Sequence, residues 1–529
     1  MGSTPSLQPP FQVQKVAVIG AGPSGLAAAK YLLAQEGAFP CIDVFEQQAE
    51  VGGVWNYSAV PRPAETVPVP QTDAHPPRPD PPVYVSAVNG SKGEGGDRGV
   101  PLFPSPMYDD LHTNIPHTLM KYSDLGFPEG CEIFPTREAV QEYLVEYAKD
   151  IRHLIKFSTQ VTDIRLRQDE QGRDQWDVST TDLLSGKETQ ETYDAVVVAS
   201  GHYSTPYIPD GIEGIKEWNA AYPGVISHSK VYRNAEAFRG KKVVVVGTGA
   251  SGLDIASQIL RVCKPPLLLS AQSGAPAETL AHLGPNVQQV GQIDRFLIEE
   301  RGVEFSPLES DNDDNNSEEN DKTEGKETRI EKDIDAILYC TGYLYTFPSL
   351  NTFADPPLIT DGRRVHGLAK HFLHINHPTI AFLGLPIKVI PFPLSEAQGA
   401  VLARLWSNTL PLPSQPVLEE WERTDGDGTK PGKYHVFPKG GDGRYINGLH
   451  DWLKSEKGSE TKGRGKEPPY WDKEMLWQRG VYAEAKLQFE KTGKKAKTLE
   501  ELGFKYEPED IVKSGEDVEA KDPQLDTAG

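Results

Sequence analysis

Residues 15–25 read Lys-Val-Ala-Val-Ile-Gly-Ala-Gly-Pro-Ser-Gly, an apolar run that ends in a glycine-rich turn. The run is typical of a buried strand, and residues 27–35 continue with the pattern of a helix. Glycines at three fixed positions of such a turn let the backbone approach a pyrophosphate and let the helix pack on the strand. The stretch therefore predicts a dinucleotide site at a helix N-terminus. Its predicted binding residues are Gly20, Gly22, Pro23, Ser24 and Gly25.

The strand and turn that follow add to this first site. A second apolar run, 41–46, ends in Glu46, about 20 residues beyond the turn, where a carboxylate can accept hydrogen bonds from ribose hydroxyls. Soon after come two adjacent glycines, Val54 and Trp55. We predict that Gly53 and Trp55 contact the cofactor because a glycine pair again permits close backbone approach. A simple turn beside a core tryptophan is the alternative for this pair.

The same pattern recurs at 241–260, where a valine-rich strand leads into Gly247-Thr248-Gly249-Ala250-Ser251-Gly252 and a helix. The next strand ends at Ser270 with no carboxylate after it. A carboxylate there would repel a 2′-phosphate, so its absence permits NADP, although no arginine stands at that strand end and NAD stays the alternative. The predicted binding residues of this second site are Gly247, Gly249, Ser251, Gly252 and Ser270.

Two strand-turn-helix units predict an α/β chain with two Rossmann-like dinucleotide-binding domains, and a length of 529 residues leaves room for both. Two stretches are predicted to be solvated insertions. Residues 58–106 are too rich in proline and glycine for a regular helix and are expected to loop over the surface. Residues 309–333 are acidic with almost nothing to bury, which predicts a disordered loop. The part beyond about 410 is predicted to be helical.

Charge and composition narrow the partners. A net charge of −22 argues against nucleic acid or an anionic membrane surface. The four cysteines, scattered without metal or redox spacing, favour a reducing, cytoplasmic compartment and no metal site. No run approaches the roughly 18 apolar residues of a membrane span. A small-molecule partner is therefore expected.

Four further stretches carry a resemblance to a known family. Residues 222–232, Tyr-Pro-Gly-Val-Ile-Ser-His-Ser-Lys-Val-Tyr, resemble the fingerprint of flavin-containing monooxygenases, with Tyr222 in place of the opening Phe. Residues 108–114, Tyr-Asp-Asp-Leu-His-Thr-Asn, look like the family segment that carries a Thr-Asn pair. Residues 199–203 and 339–343 resemble its linker motif, and residues 392–398 resemble the segment that closes over the flavin.

This resemblance implies FAD at the first turn and NADPH at the second. It places Asn114 beside the flavin ring as the catalytic residue, and it adds Thr113, Thr341, Gly342 and Gln398 to the cofactor-binding set. The implied division is a discontinuous FAD-binding domain at 1–215 and 339–410, an NADPH-binding domain at 216–338 and a C-terminal extension at 411–529.

The implied reaction forms a C4a-hydroperoxyflavin and transfers one oxygen atom from dioxygen to a sulfur or nitrogen centre, as in N,N-dimethylaniline monooxygenases. A homodimer stays open. One alternative is a Baeyer–Villiger monooxygenase acting on ketones, which the ending Tyr232-Arg233 disfavours. Others are a disulfide-type reductase, an uncoupled NADPH oxidase, or a protein that keeps FAD without turnover.

Overall fold

A computed structural model describes residues 10–58, 60, 66–85, 99–272, 274–275, 277–308, 328–353, 356–426, 433–455 and 465–508. The fold is of the α/β class, as the sequence predicts. Each of its two largest sheets includes a strand that leads into one of the glycine-rich turns. The N-terminal residues and the tail after 508 lie outside the described residues.

The first large sheet has seven strands in the order β20-β21-β22-β9-β1-β2-β5. Its strands are β1 (Lys15–Ile19), β2 (Cys41–Phe45), β5 (Ile155–Lys156), β9 (Ala195–Val198), β20 (Leu368–Ala369), β21 (Leu373–His374) and β22 (Ile380–Phe382). From β22 to β5 the strands are parallel. Helices α1 (Pro23–Leu33) and α7 (Pro391–Trp406) pack together, and both share a hydrophobic cluster with β1. The carboxyl end of β1 therefore opens into the first turn beside two packed helices.

The second large sheet has five parallel strands in the order β11-β18-β12-β13-β14. They are β11 (Ile226–His228), β12 (Val243–Val246), β13 (Leu267–Ser270), β14 (Val287–Val290) and β18 (Ala336–Tyr339). Helix α5 (Ala250–Ile259) connects β12 to β13. The repeated strand-turn-helix pattern thus forms two nucleotide units, which we call the first unit and the second unit. The exact domain boundaries stay a prediction.

Smaller sheets and helices surround these units. The remaining strands are β3 (Val83–Val85), β4 (Val100–Leu102), β6 (Thr159–Gln168), β7 (Asp174–Asp182), β8 (Glu188–Tyr193), β10 (Thr205–Pro206), β15 (Ile293–Leu297), β16 (Gly302–Phe305), β17 (Arg329–Glu331) and β19 (Tyr343–Leu344). The remaining helices are α2 (His117–Met120), α3 (Arg137–Tyr147), α4 (Ile215–Ala221), α6 (Ala277–Leu283), α8 (Gln415–Thr424), α9 (Gly441–Ser455) and α10 (Lys473–Lys491).

Both predicted insertions need correction where the structure describes them. The end of the acidic stretch is not a loop, because β17 pairs antiparallel with β16; residues 309–327 lie outside the described residues. In the proline-rich stretch, Val67 and Phe103 are buried, and Ala74 packs into the core of the first unit. Gln71 exchanges both backbone hydrogen bonds with Ile208, at 2.9 Å each. The described parts of 58–106 therefore run along the surface with several side chains packed against both units.

The C-terminal part is helical, as predicted, and it shares the hydrophobic core of the first unit. Ile446 of α9 and Trp471 belong to the same buried cluster as Val16 and Leu26. A buried ion pair fixes this part to the start of α7: Arg479 Nε donates to the Asp442 carboxylate at 2.8 and 3.0 Å. The same carboxylate accepts the backbone N–H of Ile390, and Arg479 Nη2 donates to the Lys388 carbonyl.

We predict that Arg479→Met destabilises the protein by about 3–5 kcal/mol, because it leaves the fully buried Asp442 carboxylate without its counter-charge. Urea denaturation measures the loss. The control is Arg423→Met, which breaks the exposed Arg423–Glu420 pair of α8 and is expected to leave the midpoint unchanged. Equal midpoints for the two variants would contradict the role of the buried pair.

Candidate functional site

The first glycine-rich turn is fixed by backbone contact. A Cβ placed on Gly25 would lie 1.9 Å from the carbonyl oxygen of Gly20, so only glycine allows α1 to lie this close to β1. Helix α1 begins after Gly22 without a side-chain cap. Its first-turn N–H groups, at Ser24 among others, are therefore directed to the space where an anion would sit.

Glu46 lies where the sequence places it, at the end of β2, and it is 4% exposed. Its carboxylate accepts the N–H of Ala21, inside the turn, at 2.7 Å and the N–H of Gln48 at 2.9 Å. Burial raises the pKa of Glu46 to about 7, in spite of these hydrogen bonds. Glu46 thus holds the turn itself, and each carboxylate oxygen retains capacity for a further donor such as a ribose hydroxyl.

The other predicted contacts of the first unit divide into two groups. Gly53 packs against the backbone of Gly22, and Trp55 ends the same short 3-10 helix, half-buried beside the turn. Ser24 Oγ lies 2.8 Å from Ser395 Oγ of α7. Gln398, however, is fully buried, and its amide bonds the Gly384 N–H and the Tyr445 hydroxyl. Contrary to its assignment from sequence, Gln398 faces protein rather than an open cleft.

The second turn repeats the geometry of the first. A Cβ on Gly252 would lie 2.1 Å from the Gly247 carbonyl oxygen, and α5 begins after Gly249 without a side-chain cap. A Cβ on Gly249 would meet no heavy atom within 4 Å, so the space in front of this turn is open. Ser251 is exposed at the start of the helix. The turn can therefore accept a second pyrophosphate.

Three predicted residues near the second turn hold the protein backbone. Ser270 is fully buried and its hydroxyl donates to the Gly291 carbonyl at 2.8 Å, so it joins the end of β13 to the residue after β14, and its assignment to the cofactor stays a prediction. Thr341 Oγ1 donates to the Tyr207 carbonyl, and the Tyr207 N–H donates to the Gly342 carbonyl at 3.0 Å. Thr341 and Gly342 thereby join the two stretches of chain that run between the units, one at Tyr207 and the other at 339–343, to each other.

The fingerprint stretch forms the edge of the second sheet rather than a binding surface. His228 ends β11, is fully buried and accepts the Lys230 N–H through Nδ1 at 3.0 Å. Its ring lies edge-on to Tyr343, with centroids 5.2 Å apart. Burial lowers the pKa of His228 to about 3, so the ring is neutral at physiological pH. The His228 ring therefore packs against the stretch of chain at 339–343 that runs between the two units.

Asn114 is exposed on the turn that leads into α2, and its side chain makes no hydrogen bond with the described residues. Its neighbour Thr113 is 4% exposed. Thr113 donates its N–H to the Pro135 carbonyl and its hydroxyl to the Ile115 carbonyl, both at 2.8 Å. Thr113 therefore shapes the turn, while the amide of Asn114 is exposed to solvent.

Sequence reasoning missed two residues that join this segment to the second unit. Tyr108 is 5% exposed, and its hydroxyl donates to the carboxylate of Asp254 on α5. Burial raises the pKa of Asp254, while the Tyr108 hydrogen bond and the charges of Lys486 and Lys494 oppose that rise. Both residues stand inside quoted motifs, yet nothing in their spacing pairs them, since the contact joins positions 146 apart.

Each glycine-rich turn leads into a helix whose N-terminus has no side-chain cap, and the last glycine of each turn has no room for a Cβ. Each of the two helix N-termini can therefore bind the pyrophosphate of one dinucleotide. The fold and site therefore define a class of protein that binds two dinucleotides. Among the described residues, all four cysteines are free thiols, and no helix combines the length and apolarity that a bilayer crossing requires.

Comparisons with known proteins agree with this class. The model of the flavin-binding monooxygenase-like family matches residues 104–279, and that of an NAD(P)-binding Rossmann-like domain matches residues 18–84. The thiol-specific monooxygenase of Saccharomyces cerevisiae is 30% identical over 479 residues, covering 88% of this chain and 90% of its own. The flavin-containing monooxygenase FMO GS-OX-like 4 of Arabidopsis thaliana is 32% identical over 494 residues, covering 90% and 93%.

Among solved structures, S-allyl-L-cysteine S-oxygenase from Allium sativum superposes with a TM-score of 0.66 and 25% identity, over 93% of this chain and 97% of that one. The chain therefore belongs to the flavin-containing monooxygenase family. It is an oxidoreductase that uses FAD and a nicotinamide dinucleotide as cofactors and a small molecule and dioxygen as substrates.

We predict that two glycine substitutions affect the two dinucleotide sites independently of each other. Gly25→Ala forces the first turn apart and is expected to yield protein with several-fold less FAD. Gly249→Ala adds a methyl group in the open space where the second pyrophosphate would bind. FAD content therefore stays normal while the KM for NADPH rises roughly tenfold, equivalent to about 1.4 kcal/mol of binding. Flavin absorbance and steady-state kinetics measure both. Loss of FAD in Gly249→Ala would contradict the assignment of the turns.

Proposed function

We propose that this chain is an NADPH-consuming monooxygenase that transfers one oxygen atom from dioxygen to a soft nucleophile, with sulfur preferred to nitrogen. In the overall change, NADPH supplies a hydride and the solvent supplies one proton, one oxygen atom bonds to the sulfur or nitrogen, and the other oxygen atom leaves as water. FAD, when bound, would supply the oxygen-activating chemistry. The preference for sulfur rests on relatives that include a thiol-specific monooxygenase and an S-oxygenase.

One observation carries the proposal for the site. The exposed amide of Asn114 has no hydrogen-bond partner among the described residues, on a segment anchored to both nucleotide units. An amide can donate and accept without titrating, so it can orient a ligand without adding a proton source. The protein's other tasks are to bind, orient and exclude water, and these are what the two turns and the packed insertions supply.

The coenzyme preference also stays within the proposal. We propose NADPH over NADH because β13 ends at Ser270 and is followed by Ala271 and Gln272, with no carboxylate to repel a 2′-phosphate. Ketone oxidation of the Baeyer–Villiger type is the second candidate, and the Tyr232-Arg233 ending of the fingerprint disfavours it. A disulfide-type reductase needs a redox-active cysteine pair, and no two cysteines are close in sequence.

We predict that Asn114→Ser keeps FAD content but lowers oxygenated product at least tenfold per NADPH consumed, with hydrogen peroxide making up the difference. The reason is that serine cannot reach and hold the group that the longer amide contacts. Product and peroxide are measured with methyl phenyl sulfide and cysteamine as probes. The matched control is Asn351→Ser, a change far along the chain at an asparagine whose amide only donates to the Pro76 carbonyl. An unchanged product yield in Asn114→Ser would overturn the assignment.

Rapid mixing tests the proposal without a substrate. Enzyme reduced by NADPH is mixed with oxygenated buffer, and the flavin spectrum is followed. We expect a long-lived oxygenated flavin before the oxidised spectrum returns. Immediate return to oxidised flavin with release of hydrogen peroxide would instead identify an NADPH oxidase.

A further inference from the structure

The segment that carries Asn114 is anchored to the second unit at its start. Beside the Tyr108–Asp254 hydrogen bond, the Asp109 N–H donates to the Arg233 carbonyl at 2.9 Å, and Asn234 Nδ2 donates to the Asp109 carboxylate at 3.0 Å. The rings of Tyr108 and Tyr232 meet edge-on with centroids 5.4 Å apart. Residues 108–109 are therefore part of the surface of the second unit.

The same segment is anchored to the first unit a few residues later. The Arg137 N–H, at the start of α3, donates to the Leu111 carbonyl at 3.2 Å, and the Thr113 N–H donates to the Pro135 carbonyl at 2.8 Å. Asn114 thus lies on a short stretch of chain that is held at one end by each nucleotide unit. A change at either anchor alters the position of its amide.

Asp254 belongs to the helix that begins at the second turn. It stands in the second turn of α5, five residues after the uncapped Gly249. Its carboxylate also accepts Gln258 Nε2 at 3.3 Å, and Gln258 Oε1 accepts the Tyr232 hydroxyl at 2.9 Å. Tyr108 is therefore joined to the body of α5 by a chain of hydrogen bonds in a buried cluster.

We infer that Tyr108 is a positioning residue that couples the binding of the nicotinamide nucleotide at α5 to the placement of Asn114. This rests on the proposed function, because it takes the second turn as the NADPH site and Asn114 as the oxygenation residue. Phosphate bound by the N–H groups at the N-terminus of α5 orders the start of that helix and, through Asp254, the phenol of Tyr108. The segment to Asn114 then has one anchored conformation when the nucleotide is present.

Hydrogen–deuterium exchange with and without NADP⁺ tests this on the FAD-bound protein. In the wild type, NADP⁺ is expected to slow amide exchange several-fold both at 247–254 and at 108–117. In Tyr108→Phe, which removes only the hydroxyl, the protection at 247–254 is expected to remain and that at 108–117 to be lost. Asp254→Asn, which keeps the shape but weakens the acceptor, is expected to give the same pattern.

The matched control is Tyr193→Phe. Tyr193 is equally a buried tyrosine that donates to an aspartate, Asp43 at 2.7 Å, but both residues lie in the first unit. It is expected to respond to NADP⁺ as the wild type does. A loss of protection at 108–117 in this control as well would show a general loss of stability and overturn the specific role of Tyr108.

The remaining outcomes are also decisive. Protection at 108–117 that persists in Tyr108→Phe, or that is absent from the wild type, overturns the coupling while leaving the proposed function intact. No protection at 247–254 in the wild type overturns the assignment of the second turn, and the coupling with it. In turnover with methyl phenyl sulfide, Tyr108→Phe is expected to reduce its flavin at the wild-type rate but to release several-fold more hydrogen peroxide per NADPH.

Discussion

Close contact between backbone atoms at the two glycine-rich turns determines what this molecule can bind. In each turn the sixth residue lies against the carbonyl group of the first, at a distance that leaves no room for a Cβ. That contact brings a helix N-terminus to the carboxyl end of a parallel strand, where uncapped N–H groups attract an anion. Every other feature of the site is arranged around these two points.

The space between the two units is occupied by chain segments rather than by a simple hinge. The stretch 66–85 contacts Ile208 and the cores of both units, and the segment that carries Asn114 is bonded to both as well. The C-terminal helices add a third set of contacts, through the Asp442–Arg479 pair at the start of α7. The stretch 66–85 and the segment that carries Asn114 each contact both units, so their packing and hydrogen bonds join the two units.

Much of this could be predicted from the sequence. The two strand-turn-helix units were predicted because they depend on local patterns, namely a buried strand, three spaced glycines and an apolar helix face. The fold class and family are confirmed, but the roles of individual residues depend on contacts over long sequence distances. Ser270 and Gln398 stand at expected positions, yet their side chains bond the protein because the facing groups come from Gly291 and Tyr445.

For the same reason, composition misjudged the insertions. A stretch rich in proline and glycine indicates the absence of a helix correctly, but it does not exclude burial, since Val67 and Ala74 find apolar surfaces that other parts of the chain supply. Likewise Arg329–Glu331 pairs with β16 although its neighbours in sequence are acidic. The Tyr108–Asp254 contact joins two motifs that were each visible separately, and only the folded chain brings them together.

The central claim is that this chain places one atom of dioxygen on a soft nucleophile at the expense of NADPH. The most direct measurement is turnover under ¹⁸O₂ with a mixture of an alkyl aryl sulfide, a tertiary amine and a cyclic ketone, with isotopes in all products and NADPH consumption followed together. The account predicts one labelled oxygen atom in a sulfur or nitrogen product for each NADPH oxidised. Label found only in hydrogen peroxide, or in an ester formed from the ketone, would contradict it.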